Sequence, residues 1–378
     1  MRLLIEAANA TLGVVDGVIT PPHGRFDVEL RIPDGELRPG LINAHDHLHR
    51  NHYGRLGAPP YANAYEWGRD IHAREAERIA GGRAVSRREA LLCGAWKNLR
   101  AGVTTVVHHD RWELEFDRGF PIRVVPLPSA HSVGLEPEME SSLAAQLGWG
   151  PFTIHLAEGV DEGSAEEVRE LDRLGLLLPS LLAVHVVGAD DDGVRRLRRA
   201  GAAIVWCPTS NEFLFGTGRT APAPLLAEGV DVLVGSDSLL TAAGSLLDEL
   251  RRAREIGAVS DARLERAVGV TAARRLGIAT PSLGHGVRAE LVVLRRPLLE
   301  AREDDVALVI ANGALRVLDP ALAPAFGVSV EAGRYVGSGP SARWLFDQDF
   351  GVAVPPPSRA VGGVYQRTAP VISRRTRL

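Results

Sequence analysis

Lysine is almost absent. Of 43 basic side chains in 378 residues, Lys97 is the only lysine, and arginine carries the rest. A codon-level preference for arginine accounts for such a skew. Cysteine is also scarce: Cys93 and Cys207 cannot build a disulfide framework and suit a reducing cytoplasm. No apolar run approaches the roughly 18 to 20 residues that a membrane span needs. The start, MRLLIEAANATLG, meets Glu6 at once and makes a poor signal peptide. Excess positive charge is missing too, since Lys+Arg 43 against Asp+Glu 47 gives -4, which argues against nucleic-acid or anionic-membrane partners. With 45% hydrophobic residues, the composition is that of a globular cytoplasmic protein of enzyme size. A small-molecule substrate is the expected partner, and homo-oligomerisation is compatible with all of this.

What is present is a repeated alternation of short apolar runs and amphipathic stretches. The runs fall at Gly40–Ala44, Val103–Val107, Ile122–Leu127, Phe152–Leu156, Leu181–Val187, Ala203–Cys207 and Val232–Val234. They lack polar alternation, as strands covered on both faces do. Between them, Ser86–Arg100 places Leu92, Trp96 and Leu99 on one stripe. Ser164 with Glu167 predicts a capping box, and Asp192–Ala200 and Ser245–Ile256 predict further helices. The pattern predicts an α/β fold, a (β/α)8-type TIM barrel over residues 39–283. Seven strands are evident where eight are required. The shortfall lies between Val107 and Phe152, as a short strand near Ala130–Gly134 or as one degraded βα unit. Residues 1–38 and 284–335 read as short strands with Gly and Pro turns, Asn312-Gly313 among them, and predict one small β-sandwich built from both chain ends. Residues 336–378, rich in Pro, Gly and Arg, form a tail expected to wrap the surface or fray.

Four features end predicted strands, where barrel active sites are built. HDH supplies His45 and His47, two apart and therefore on one side of a strand. HLAE supplies His155 and Glu158, AVH supplies His185, and GSD supplies Asp237. Several histidines with one carboxylate form a borderline-soft set suited to zinc and open to iron. Glu158, just past a ligand, is placed to act as general acid and base. Each histidine alone is more often a hydrogen-bonded core residue, but four such features in order are not accidental.

These residues resemble the amidohydrolase superfamily, in its cytosine-deaminase-like and triazine-hydrolase-like branch. The matching segments are PGLINAHDH (39–47), AGVTTVV (101–107), HLAE (155–158), VH (184–185), CPTSN (207–211) and GSD (235–237). The resemblance implies that His45, His47, His155 and Asp237 hold one divalent metal, zinc before iron. It implies that Glu158 shuttles protons, that Asp237 takes a proton from the attacking water, and that His185 orients that water or the leaving edge. The implied reaction is deamination of an aminated N-heterocycle or a guanidine-like group. Hydrolysis of a cyclic amide, or displacement of another group, is the nearer alternative; a non-catalytic binding protein is the remote one. Two-metal relatives use a carbamylated lysine from a middle strand. Lys97 stands inside a predicted helix far along the chain from such a strand end, so one metal is expected.

Other residues divide between site and scaffold. His109 (with His108), His131 and Trp67 are candidate substrate contacts, and Glu66 and Arg69 candidate specificity residues in an aromatic segment, His49–His72, placed to form a lid. CPTSN predicts a turn, Cys207 an inert core thiol, Asp190–Asp192 a helix N-terminus, and Arg195, Arg196, Arg198 and Arg199 a solvated helix face.

Overall fold

Buried and exposed residues alternate along Val28–Ile32, which marks a strand covered on one face only. The computed structural model describes residues 2–117, 119–136, 150–326, 334–336 and 343–345. An N-terminal sheet has the order β3-β2-β1-β4, from β1 (Arg2–Ala7), β2 (Thr11–Val15), β3 (Val18–Thr20) and β4 (Val28–Ile32). The next strand, β5 (Glu36–Pro39), leaves it and pairs antiparallel with the far end of the chain.

Burial then becomes continuous along β6 (Leu41–Asp46) and β7 (Val103–His108), which with β8 (Arg123–Val125) form a parallel sheet. A second parallel sheet runs β13-β12-β11-β10-β9. It is built from β9 (Ser129–Ser132), β10 (Phe152–Leu156), β11 (Leu181–His185), β12 (Ala203–Trp206) and β13 (Val232–Val234). β9 corresponds to the first of the two readings of that stretch, a short strand near Ala130. Only residues 126–128 separate it from β8. Pro126 and Pro128 lack the N–H that a ladder needs, so the run pairs with β7 before them and with β10 after them. Past β13 the chain lies against β6, with the Asp237 N–H donating to the His45 carbonyl at 3.0 Å.

The helices that flank these strands include α1 (Ala64–Arg74), α2 (Ala76–Arg83), α3 (Arg87–Arg100), α4 (Glu162–Arg173), α5 (Asp191–Ala200), α6 (Pro208–Phe215) and α7 (Leu246–Ile256). One face of the strands packs on helices through Leu41, Val106, Ile154 and Trp206. The other carries a cluster with Ile42, Val107, Val184, Val205 and Leu233, drawn from both parallel sheets. α3 opens on a capping box of Ser86 and Glu89. α4 does not open at Ser164: Asp161 caps it, accepting from the Ser164 N–H at 2.9 Å. Glu167 is buried instead, bonded to the Tyr65 hydroxyl and the Ala157 N–H, because a carboxylate facing the strands needs donors there. CPTSN is not a free-standing turn but the first turn of α6, with Pro208 where its missing N–H costs nothing. Asp190 caps α5 as expected, and Arg196 pairs with Asp192 and Asp172, so that face carries ion pairs.

The C-terminal sheet has the order β17-β18-β16-β15-β14-β5, with β14 (Leu291–Leu294), β15 (Val306–Ala311), β16 (Ala314–Leu318), β17 (Arg334–Val336) and β18 (Arg343–Leu345). Asn312 and Gly313 have φ of +52° and +72° at the β15–β16 hairpin. Leu3, Ile5 and Leu30 share one apolar cluster with Leu291, Leu308 and Ile310, so both chain ends meet in it. The expected tail, 336–378, lies outside the described residues except for Val336 and 343–345.

One close approach positions the site. A Cβ on Gly94 of α3 would meet the Leu48 carbonyl at 2.4 Å and its Cα at 2.5 Å, just past His47. Backbone cannot give way as a flexible side chain does. Gly94→Ala should therefore lower unfolding free energy by about 2–3 kcal/mol, the cost of overpacking, in urea titration; a loss under about 0.5 kcal/mol, the scale of a neutral surface change, would contradict this packing.

Candidate metal centre

The ends of β6, β10, β11 and the segment after β13 bring together the residues that the sequence singled out. His45, His155 and His185 each offer a nitrogen within 4.8 Å of the others, and His45, His47 and Asp237 form a second such group. Burial pulls the pKa of His45, His47 and His155 well below the ordinary histidine value, so these imidazoles are neutral.

Hydrogen bonds decide which nitrogen of each ring is bare. His155 Nδ1 donates to the His131 carbonyl at 2.6 Å, which leaves Nε2 unprotonated. His185 Nδ1 donates to Asn211 Oδ1 at 2.8 Å, which turns Nε2 toward the other rings. His109 Nε2 donates to the Ala130 carbonyl at 2.8 Å, so its Nδ1 accepts from His45 Nδ1 at 3.2 Å. That leaves His45 Nε2 bare. His45 Nε2 and His185 Nε2 are buried and have no hydrogen-bond partner, a state that costs roughly 1–3 kcal/mol per group unless something binds there. His47 Nε2 and His155 Nε2 lie 3.2 Å apart, against about 3.3 Å for two nitrogens each about 2.0 Å from one tetrahedral zinc. The donor set fits a divalent cation.

Asp237 is aimed by its backbone and its neighbours. Its φ of +52°, like the +70° of His185, is left-handed and strained for a side-chain-bearing residue. Oδ2 accepts from Ser210 Oγ at 2.8 Å and Thr241 Oγ1 at 2.9 Å. Oδ1 lies 3.7 Å from His45 Nε2. Glu158 Oε1 is 3.4 Å from His185 Nε2, and burial raises the Glu158 carboxyl to about 7. A cavity of about 1060 Å³ opens above these groups, lined by His47, His155, Glu158 and Asp237 and walled by Tyr65 and Trp67.

The secondary candidates take distinct places. His109, expected as a substrate contact, lies behind His45 with both ring nitrogens engaged, so it orients a ligand. His131 lines the cavity and holds His155 through its carbonyl. Trp67 lines it too, with its indole N–H donating to the Leu56 carbonyl at 2.9 Å. Arg69 also lines it, whereas Glu66 closes the first turn of α1 on the Ala62 N–H. His108 Nδ1 accepts from the Leu48 N–H at 3.2 Å, away from the four histidines.

Sequence reasoning missed the support layer. Asn211 was legible only as a turn residue. Lys97 was placed far from the site, yet it is buried beside it: Nζ lies 2.9 Å from Asp46 Oδ2, 2.9 Å from Ser236 Oγ and 2.5 Å from the Asp237 carbonyl. The signal was available in HDH, whose middle residue is a carboxylate on the opposite side of the strand and needs a buried cation.

Residues 147–316 match the model of the Amidohydrolase family. The chain is 32% identical over 203 residues to a 5-methylthioadenosine/S-adenosylhomocysteine deaminase of Pyrococcus furiosus, covering 45% of this chain and 47% of that protein. It is 39% identical over 141 residues to an aminodeoxyfutalosine deaminase of Deinococcus radiodurans, covering 36% and 33%. The chain thus spans less than half the length of these curated relatives. Among solved structures, it is similar to a zinc-bound adenosine deaminase from Xanthomonas campestris, with TM-score 0.63, 18% identity, and 85% and 94% of the two chains covered. A zinc-complexed atrazine chlorohydrolase from Arthrobacter aurescens gives TM-score 0.63 at 16% identity, over 83% and 94%. At such identities the likeness establishes an α/β fold of this kind.

The bonding pattern makes a spectroscopic prediction. Imidazole 15N spectra of the metal-free protein at pH 6 should show His45 and His155 neutral, protonated on Nδ1, and His109 neutral, protonated on Nε2. An imidazolium or the opposite tautomer at His45 would contradict the chain of bonds from Ala130.

Proposed function

We propose, from the premise that the chain belongs to the amidohydrolase superfamily, that it is a metal-dependent hydrolase of non-peptide C–N bonds, a deaminase of an aminated N-heterocycle. The carrying observation is the set of buried, unpartnered imidazole nitrogens facing Asp237 at the floor of a cavity, with Glu158 beside them. The relatives named as deaminases of adenine-type compounds support a purine-like ring as substrate. In this reading the two parallel sheets are one (β/α) barrel, residues 39–283. Residues 1–38 and 284–335 are a composite β-sandwich. The cytoplasmic setting suggested by two cysteines belongs to the same reading.

His45, His47, His155 and Asp237 would hold one divalent ion, zinc before iron, and His185 is close enough to join them. When bound, the ion would supply the Lewis acidity that makes hydroxide available near neutral pH. Asp237 Oδ1 takes a proton from the attacking water, while Ser210 and Thr241 hold Oδ2 in place. Glu158 protonates a ring nitrogen, which makes the adjacent carbon electrophilic, and then returns a proton to the departing amine. A carboxyl raised to about 7 suits that traffic. His185, held through Nδ1 by Asn211, orients the attacking water or the leaving edge. A C–O bond forms and the C–N bond breaks, giving ammonia and a ring carbonyl. Tyr65 and Trp67 offer apolar faces to a planar ring.

Plasma mass spectrometry on protein purified without chelator should give about one zinc or iron per chain, as four ligands of one site require. A ratio near two would contradict the single-metal assignment. Ammonia release should follow with aminated purine nucleosides. Glu158→Gln should lower kcat by about 10²–10⁴-fold and keep the metal; turnover like that of the unmodified protein would sink the mechanism. Asp237→Asn should lower metal retention and rate together, and full activity would show the site to be misplaced.

A further inference from the structure

We propose that Lys97 is a positioning residue that ties together, from behind, the two strand ends carrying His45, His47 and Asp237. This rests on the metal-site reading above.

An ammonium has three N–H bonds, and each has a partner. Asp46 Oδ2 and Ser236 Oγ lie 2.9 Å away, and the Asp237 carbonyl 2.5 Å. Asp46 stands between His45 and His47 on β6, and period-two geometry turns its side chain away from theirs. Asp237 follows β13. One cation therefore spans the junction between these two chain segments. Its partners are satisfied in turn. Asp46 Oδ2 also accepts from Asn98 Nδ2 at 2.6 Å, and Oδ1 from Asn51 Nδ2 at 3.0 Å. Ser236 Oγ accepts from Asn43 Nδ2 at 2.7 Å and donates to the Asp237 carbonyl at 3.0 Å. Such a closed buried network holds its members in one arrangement. Lys97 and Asn98 are adjacent on α3, the helix that Gly94 lets approach Leu48 so closely.

The sequence supplies independent support. In a chain whose other basic residues are all arginine, the single lysine occupies this place. A guanidinium is a planar fork and cannot set three donors around one point as an ammonium does. Codon preference explains the arginines; it does not explain the exception.

The ends of β6 and β13 hold their ligands in register only while this cation is present. Lys97→Met alone would strand the buried Asp46 charge and risk unfolding, so the test pairs it with Asp46→Asn. The D46N/K97M protein, shown to be folded by its melting transition, should bind zinc about ten- to a hundredfold more weakly in chelator competition, the range for outer supports of metal ligands. Its cobalt(II) absorption spectrum should differ as well. Lys97→Arg, which keeps the charge, should also weaken binding. The unmodified protein gives a second readout: labelled with 13Cε-lysine it has one lysine resonance, which should shift as zinc is titrated in. Zinc affinity unchanged in D46N/K97M with an unaltered cobalt spectrum, or a Lys97 resonance unmoved at zinc saturation, would overturn the proposal alone. An unmodified protein that binds neither zinc nor cobalt(II) would overturn the metal-site reading and this inference with it.

Discussion

An imidazole that is to give a lone pair must be neutral and must be turned the right way. For His45 and His155 burial does the first, and for His45, His155 and His185 a hydrogen bond to one ring nitrogen does the second. His155 leans on a backbone carbonyl, His185 on Asn211, and His45 on a relay through His109 to the Ala130 carbonyl. The partners come from β9, from α6 and from the end of β7, so the site depends on strand ends being in register across both sheets. Register faults of one residue would turn a ligand to the opposite face. That sensitivity explains why the layer behind the ligands is so tightly made: a Cβ on Gly235 would meet the His45 Cβ at 2.6 Å.

The cost of this arrangement is visible in the backbone. His185 and Asp237 adopt left-handed φ values, and His45, His47 and His185 each keep a buried ring nitrogen without a hydrogen-bond partner. Neither feature stabilises the fold. Both belong to a surface prepared for a ligand, with the strain carried by β-strands buried on both faces. The asymmetry between Asp237 and Glu158 follows from the same placement. Asp237 is held by two hydroxyl donors and a backbone N–H. Glu158 faces the cavity with fewer donors, and burial lifts its carboxyl toward neutrality, which sets the two carboxyl groups apart in environment.

Much of this was legible in the sequence. Unbroken apolar runs revealed strands covered on both faces, and HDH, HLAE, VH and GSD marked the strand ends where these histidines and carboxylates gather. The helix start at Asp190 and the Asn312-Gly313 hairpin followed from local chemistry that needs no partner elsewhere. Three things were not legible. Whether β9 is a strand or a degraded βα unit stayed open, because Pro126 and Pro128 divide a run that changes sheets and no crossover helix announces the second strand. Ser164 and Glu167 match a capping box in spacing, but tertiary burial claims Glu167 and moves the cap to Asp161. The roles of His109 and Asn211 depend on which ring nitrogen they face, and no spacing rule encodes that.

Lys97 shows why distance along the chain is a poor guide to distance in space. Its remoteness from any strand end argues from sequence against a lysine bridging two metals, and the premise fails: the side chain reaches the site. The placement of Lys97 bears on that argument in a different way. The ammonium lies behind the ligands, on the Asp46 side of β6, with Asp46, Ser236 and the Asp237 carbonyl around it. A bridging carbamate would have to face the cavity, and it would abandon the buried Asp46 carboxylate to do so, leaving an uncompensated charge that costs several kcal/mol, roughly 3–5. One residue cannot serve both sides of the strand, and the buried carboxylate of HDH decides which side it takes.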